Sequence, residues 1–169
     1  RNEGENAIYK AIKIIENFQN FQFPKVSEQL GAVKLSVTQV QAGTQHNVIP
    51  DRCDFVVDVR TNELYKNEEA FSILQKNINC EMKARSFRLN SSKIEPDHPI
   101  IIRAKMLGLQ PFGSPTLSDQ ALMPFTSVKI GPGDSARSHT ANEFILKSEI
   151  REAIDLYIKL LDRLSLEPA

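Results

Sequence analysis

Ala32-Val33-Lys34-Leu35-Ser36-Val37-Thr38-Gln39-Val40-Gln41 and, beyond a turn from Gly43 to Pro50, Cys53-Asp54-Phe55-Val56-Val57-Asp58-Val59-Arg60 decide how this chain folds. In the first stretch Val33, Leu35 and Val37 alternate with Lys34, Ser36 and Thr38. In the second, Phe55, Val57 and Val59 face one way and Asp54, Asp58 and Arg60 the other. A period of two marks a strand with one buried face, so the pattern predicts a first strand at about 32–41 and a second after the turn.

The flanking segments change period. Ala7, Ile8, Ala11, Ile12, Ile15 and Phe18 recur at three and four residues and predict an amphipathic helix over roughly residues 4–20, with Gly4 near its start. Ala70, Phe71, Leu74 and Ile78 predict a helix at about 67–78, and a third strand is expected at about 80–90. Helix, strand, strand, helix, strand is a βαββαβ ferredoxin-like unit lacking its first strand. This unit is assigned residues 1–94.

Residues 95–169 form the second expected domain. Asp97 can cap a helix that carries Pro99 in its first turn, runs through Ile101, Ala104, Lys105 and Leu107, and stops at Gly108. An extended piece from Phe112 to Thr116, a short helix opening at Ser118-Asp119 and a strand from Ser127 to Ile130 follow. The last helix, at about 147–164, places Ile150, Ile154, Tyr157, Ile158, Leu161 and Leu164 on one face, with Ser148 as its cap. Alternating strands and helices predict part of an α/β sheet. A lobe with so few strands exposes apolar faces if it stands alone, so a partner segment is expected to be missing.

Composition narrows the function. The 169 residues include 41% hydrophobic side chains, enough for a core, and 21 basic against 21 acidic residues, a formal net charge of zero. That balance lacks the footprint of a nucleic-acid binder. No apolar run approaches the ~20 residues that span a bilayer. Cys53 and Cys80 fall on expected strands without zinc-knuckle or Cys-x-x-Cys spacing, as two reduced, packed thiols of a cytoplasmic protein do.

Chemistry concentrates in Gly131-Pro132-Gly133-Asp134-Ser135-Ala136-Arg137-Ser138-His139-Thr140-Ala141-Asn142-Glu143, a glycine-bounded loop between an expected strand and the last helix. Gly131 and Gly133 can turn the chain sharply. His139 is the candidate metal ligand of this loop, although a single loop histidine can equally be solvated or hydrogen-bonded.

This loop and the segment Ala42-Gly43-Thr44-Gln45-His46-Asn47-Val48-Ile49-Pro50-Asp51-Arg52, running into the second strand, together resemble a known family. It is the zinc-dependent amidohydrolase and exopeptidase family of acetylornithine deacetylase, succinyl-diaminopimelate desuccinylase, aminoacylase and carboxypeptidase G. An Asn-Val-Ile-Pro turn leads there into a strand ending in Arg, and a Gly-Pro-Gly loop precedes His-Thr-x-x-Glu. The resemblance implies a ferredoxin-like lid that dimerises, followed by the C-terminal part of an α/β zinc-hydrolase catalytic domain. It implies two zinc ions per active site, replaceable by cobalt, of which only the late His ligand has a counterpart here, His139. The early His-x-Asp and Glu-Glu motifs are absent and the chain opens on Arg1, so the sequence is expected to be the C-terminal part of a larger enzyme, with the general base and the lid His upstream.

By the same resemblance Asn47 and Arg60 hold the substrate carboxylate, often in the partner subunit's active site. They can instead support the turn before Pro50 and pair with Asp58 or Glu63. Glu143 can be the acceptor behind His139, a carboxylate on the adjacent backbone or a helix-entry residue. Asp119 matches a Ser-Asp element near the substrate pocket and can also be a helix-start carboxylate. Ser135, Arg137 and Ser138 border the loop as solvated residues or substrate contacts, and His46 is a turn residue. Leu117 stands where the desuccinylase branch has Thr, which, with residues 112–139, brings the chain nearest to acetylornithine deacetylase. The expected reaction is deacetylation of N-acetylornithine in arginine biosynthesis by a cytoplasmic homodimer. Desuccinylation or dipeptide hydrolysis, or a non-catalytic dimerisation or small-ligand module, are the competing readings.

Overall fold

β1 (Lys34–Ala42) and β2 (Cys53–Arg60) pair antiparallel in the computed structural model, which describes residues 4–114, 116 and 118–165. Leu35 lies opposite Val59 and Val37 opposite Val57; the register then slips, so that Gln39 meets Val56 and Val40 meets Phe55. Thr38 is the extra residue of this bulge. Without it Gln39 and Gln41 would share the face of Val37; with it Val40 and Ala42 do. One face of the pair is thus apolar from end to end, and Lys34, Ser36, Asp54, Asp58 and Arg60 line the other.

Helices α1 (Ala7–Asn20) and α2 (Asn67–Asn77) belong with this pair in a compact unit, Arg1–Ser91, which is the observed part of the ferredoxin-like fold. α1 starts later than its periodicity implies because Asn6 caps it, its side chain accepting from the Ile8 amide at 2.9 Å. Phe18, Phe23, Val33, Tyr65, Ala70, Leu74 and Ile78 form the core. Phe18 stands edge-on to Phe55 at 5.8 Å and Phe23 edge-on to Tyr65 at 5.2 Å. Each such ring contributes about 1.5–3 kcal/mol through burial alone. Asn62 is 2% exposed, and its side chain donates to Gly31 O at 2.8 Å and accepts from the Leu64 amide at 3.1 Å. These bonds satisfy a polar side chain sunk in the middle of the unit.

The third strand expected at 80–90 does not form among the described residues. In a ferredoxin-like unit the last strand pairs with the first, and among the described residues no strand precedes α1. Side chains hold the segment in place of a ladder. The Asn67 amide group donates to Phe87 O at 3.2 Å and Leu89 O at 2.8 Å, Asn67 Oδ1 accepts from the Thr61 hydroxyl at 2.9 Å, and Asn90 Oδ1 accepts from the Asn67 backbone at 2.9 Å. Phe71 and Phe87 meet edge-on at 5.5 Å. Cys80 is therefore not on a strand; it and Cys53 are free and half-buried.

The second unit, Ser92–Ala169, contains α3 (Pro99–Met106) and α4 (Lys147–Leu161), with 3-10 turns at Asp119–Leu122 and Ser135–Arg137. His98, not Asp97, caps α3: its Nδ1 accepts from the Ile100 amide at 3.3 Å. Gly108, at φ +86, ends the helix as expected. The strand expected over Ser127 to Ile130 is not formed, because among the described residues of this unit no other strand exists to pair with it. The piece from Phe112 to Thr116 forms no strand either, and its Pro115 lies outside the described residues. Ile101 and Ala104 of α3 and Ala153 and Leu160 of α4 are buried, whereas Ile150, Ile154, Ile158 and Leu161, the face expected to be covered, are exposed. Glu149, not Ser148, caps α4 by accepting from the Leu146 amide at 2.8 Å. No helix among the described residues is long and apolar enough to cross a membrane.

If Asn67 replaces the missing ladder, Asn67→Ala removes three hydrogen bonds and destabilises the unit by about 1–3 kcal/mol. Urea unfolding reads the loss, and amide exchange should quicken at residues 87–90 while the Leu74 helix turn keeps its protection.

Candidate functional site

The loop around His139 is tied down at both ends. Gly133 takes φ +84, where a side chain would be strained, and a Cβ there would come into contact with Ile145 Cγ1 at 3.4 Å. Gly131, by contrast, needs no left-handed backbone. Asp134 Oδ1 accepts from the Ala136 amide at 2.9 Å and starts the 3-10 turn. Arg137 then grips Glu149 with both terminal guanidinium nitrogens, one of them at 3.1 Å, while its guanidinium carbon sits 4.7 Å from the centre of the Phe144 ring. Both partners are largely covered, with side chains 22% and 20% exposed. The bond from Arg137, followed by the one from the Leu146 amide, holds the Glu149 carboxyl below the usual glutamate range, and Glu149 in turn raises Arg137.

His139 follows with φ +62, one of two residues other than glycine with a positive φ among the described residues. Its backbone amide donates to Glu143 Oε2 at 3.1 Å, and the neighbouring Thr140 hydroxyl donates to Arg137 O at 2.8 Å. Of the roles open to Glu143, the structure shows the bond to adjacent backbone. The imidazole is exposed. It can offer one ligand to a metal, but among the described residues no three His, Cys, Asp or Glu side chains come together. This chain's described residues do not complete a zinc site by themselves.

Asn47 is exposed in the hairpin turn, where the Val48 amide reaches back to Gln45 O at 3.4 Å; His46 beside it is exposed too. Arg60 closes the opposite end of β2, on the open face of the pair, with its Nε 2.9 Å from Asp58 Oδ2. Seven residue steps of strand, about 23 Å, separate Cys53 from Arg60. Within one chain Asn47 and Arg60 thus lie at the two ends of the ladder. Asp119 is exposed at the start of a 3-10 turn, and the neighbouring Gln120 donates to Ser127 O at 2.8 Å. Arg137, read from sequence as a solvated loop residue or a substrate contact, is instead the clasp of the loop; an ion pair twelve positions apart has no periodic signal to betray it. The Leu117 position lies outside the described residues.

The family model described as a peptidase dimerisation domain, that of the M20 peptidases, matches residues 1–85, half of the chain. A search of curated proteins gave no match.

The lowered carboxyl of Glu149 sets a pH dependence. Its contribution is complete above the unfolded glutamate value and is lost as pH falls through the lower folded value. Acidification should therefore free the Phe144 ring and the residues 134–146 before the rest of the unit, as read by amide exchange against pH. Glu149→Gln should remove that step; an unchanged acid profile would show that the clasp does not hold the loop.

Proposed function

The chain belongs to the M20 peptidase dimerisation-domain family, and from that premise we propose that it is part of a homodimeric, zinc-dependent amidohydrolase. Its substrate is an N-acyl amino acid, with N-acetylornithine first in line, and its compartment the cytoplasm, where Cys53 and Cys80 stay reduced. One observation carries the reading: Asn47 and Arg60, two groups suited to one carboxylate, sit at opposite ends of a domain that pairs with its own copy.

Two ends of one ladder cannot clamp one small molecule, but two copies facing each other can. Arg60 from one subunit and Asn47 from the other can then meet at a shared substrate, the Arg fork on its carboxylate and the amide as a second donor. The exposed ion pair of Arg60 with Asp58 is worth about 0–1 kcal/mol, so a substrate carboxylate can displace it. The pairing surface we assign is the β1 side of the sheet. Among the described residues β1 has an open outer edge, and α1 exposes Ile8, Tyr9 and Ile12 near a groove lined by Ile15, Gln19, Leu35 and Val37.

His139 supplies one zinc ligand, and the remaining ligands and the general base come from outside the described residues. Zinc, when bound, polarises the scissile carbonyl and activates water. The competing reading is a non-catalytic dimerisation module, and a described part without a three-ligand cluster is expected on both readings. In a module Asn47 and Arg60 are dispensable.

In the full-length protein Asn47→Ala and Arg60→Ala should each cut N-acetylornithine hydrolysis at least 100-fold, the order of ~3 kcal/mol. Mixing and re-associating the two inactive variants should restore about a quarter of wild-type activity. Half of the dimers are then mixed, and each mixed dimer has one intact site of two. No recovery would rule out the shared site, and full activity in both single variants would favour the module. Ile12→Glu should convert the dimer to a monomer in sedimentation velocity.

A further inference from the structure

We infer that Glu143 is a positioning residue for His139: its carboxylate holds the His139 amide, fixes the left-handed backbone there and so sets the direction of the imidazole. The inference deepens the reading of His139 as a zinc ligand and rests on it.

A left-handed backbone brings the Cβ of any residue but glycine too close to the following carbonyl oxygen. At His139, φ +62, something must offset that strain. Among the described residues, the one side chain bonded to His139 is Glu143, through Oε2 at 3.1 Å from the backbone amide. A bond to a carboxylate oxygen is stronger than one between neutral groups, and it works against that strain. The turns on either side are closed independently. Ser138 N donates to Ser135 O at 3.2 Å before the histidine, and Glu143 N donates to Thr140 O at 3.2 Å after it. His139 is the left-handed joint between them.

The consequence is directional. Relaxing φ from +62 to the right-handed region turns the chain by about 120° at that residue and carries the imidazole with it. A zinc ligand must lie within about 0.2 Å of its bonding distance. A ligand on an unclamped joint would spend most of its time elsewhere. Arg137 and Glu149 anchor the loop as a whole to α4 and the Thr140 hydroxyl spans the joint to Arg137 O, but Glu143 is the side chain that bonds His139 itself.

This role differs from that of a carboxylate that accepts from the ring of a metal-bound histidine. Such a group works by its charge, and making it neutral weakens metal binding about 10–100-fold. A backbone clamp needs only an acceptor oxygen, which glutamine supplies.

The full-length protein is loaded with zinc and dialysed against a competing chelator, and zinc per subunit is measured by plasma mass spectrometry alongside amide exchange at His139. His139→Asn tolerates the left-handed backbone and lacks the imidazole; it should lose zinc. Glu143→Ala should release zinc 10–100-fold more readily at an unchanged melting temperature, with faster exchange at His139, and Glu143→Gln should behave as wild type on both counts. Glu143→Asp, one methylene short of the amide, gives the same reading as Glu143→Ala should the latter not fold. Loss of zinc in Glu143→Gln equal to that in Glu143→Ala would overturn the clamp in favour of a ring acceptor. Zinc retained by Glu143→Ala but lost by His139→Asn would overturn the inference alone, whereas zinc retained by His139→Asn would overturn the ligand reading beneath it.

Discussion

Two strands can offer one apolar face, and in the first unit nearly everything is arranged to complete and cover it. The bulge at Thr38 is the device. It lets a sequence that places glutamines at 39 and 41 keep Val40 and Ala42 on the side of Val37 and opposite Phe55 and Cys53. Phe18 comes down on Phe55 from α1, and Phe23 and Tyr65 seal the end of the core. The same slip settles the other face, where Asp58 and Arg60 stand in the open. Packing thus decides which charged groups are available for binding. Arg60 is exposed because Val59 must be inside.

A pair of strands is also a sheet with two open edges, and each edge has a different consequence. The outer edge of β1 lies beside exposed isoleucines of α1, a combination that a second copy can cover. Among the described residues the edge of β2 lacks the strand that would carry residues 80–90 on its far side. Asn67 answers that deficit with hydrogen bonds from a helix N-terminus, which is a costlier solution, since each side-chain bond also orders a rotamer. The bond from Thr61 places this network one residue from Arg60. Stability of the segment and placement of the candidate carboxylate clamp therefore share residues.

Helices were readable from periodicity, and strands where a described segment pairs with them. Ala7 to Phe18 and Ala70 to Ile78 gave their helices, and alternating Leu35, Val37, Val57 and Val59 gave the hairpin, with ends wrong by a few residues because caps such as Asn6 and His98 act through side-chain geometry. Residues 80–90 and Ser127 to Ile130 have equally good strand patterns and form none. A strand is a relation between segments, and alternation reports only one side of it. The bulge at Thr38 was invisible for the same reason, since it exists only against β2.

The candidate site divides along a similar line. His139, Asn47 and Arg60 could be picked out because their residue types suit a metal and a carboxylate. Their separation could not, because sequence distance says nothing of which ends of a ladder they occupy. The left-handed backbone at His139 was hidden too, behind two glycines that suggested the turning would be done elsewhere. Only Gly133 turns that way, and it does so against Ile145 and Glu149, on the side of the loop that is anchored. The strain is placed instead on the candidate ligand, His139. Glycine at 139 would adopt φ +62 without strain, but it would carry no imidazole; histidine can remain there because an acceptor four residues on offsets what its Cβ costs.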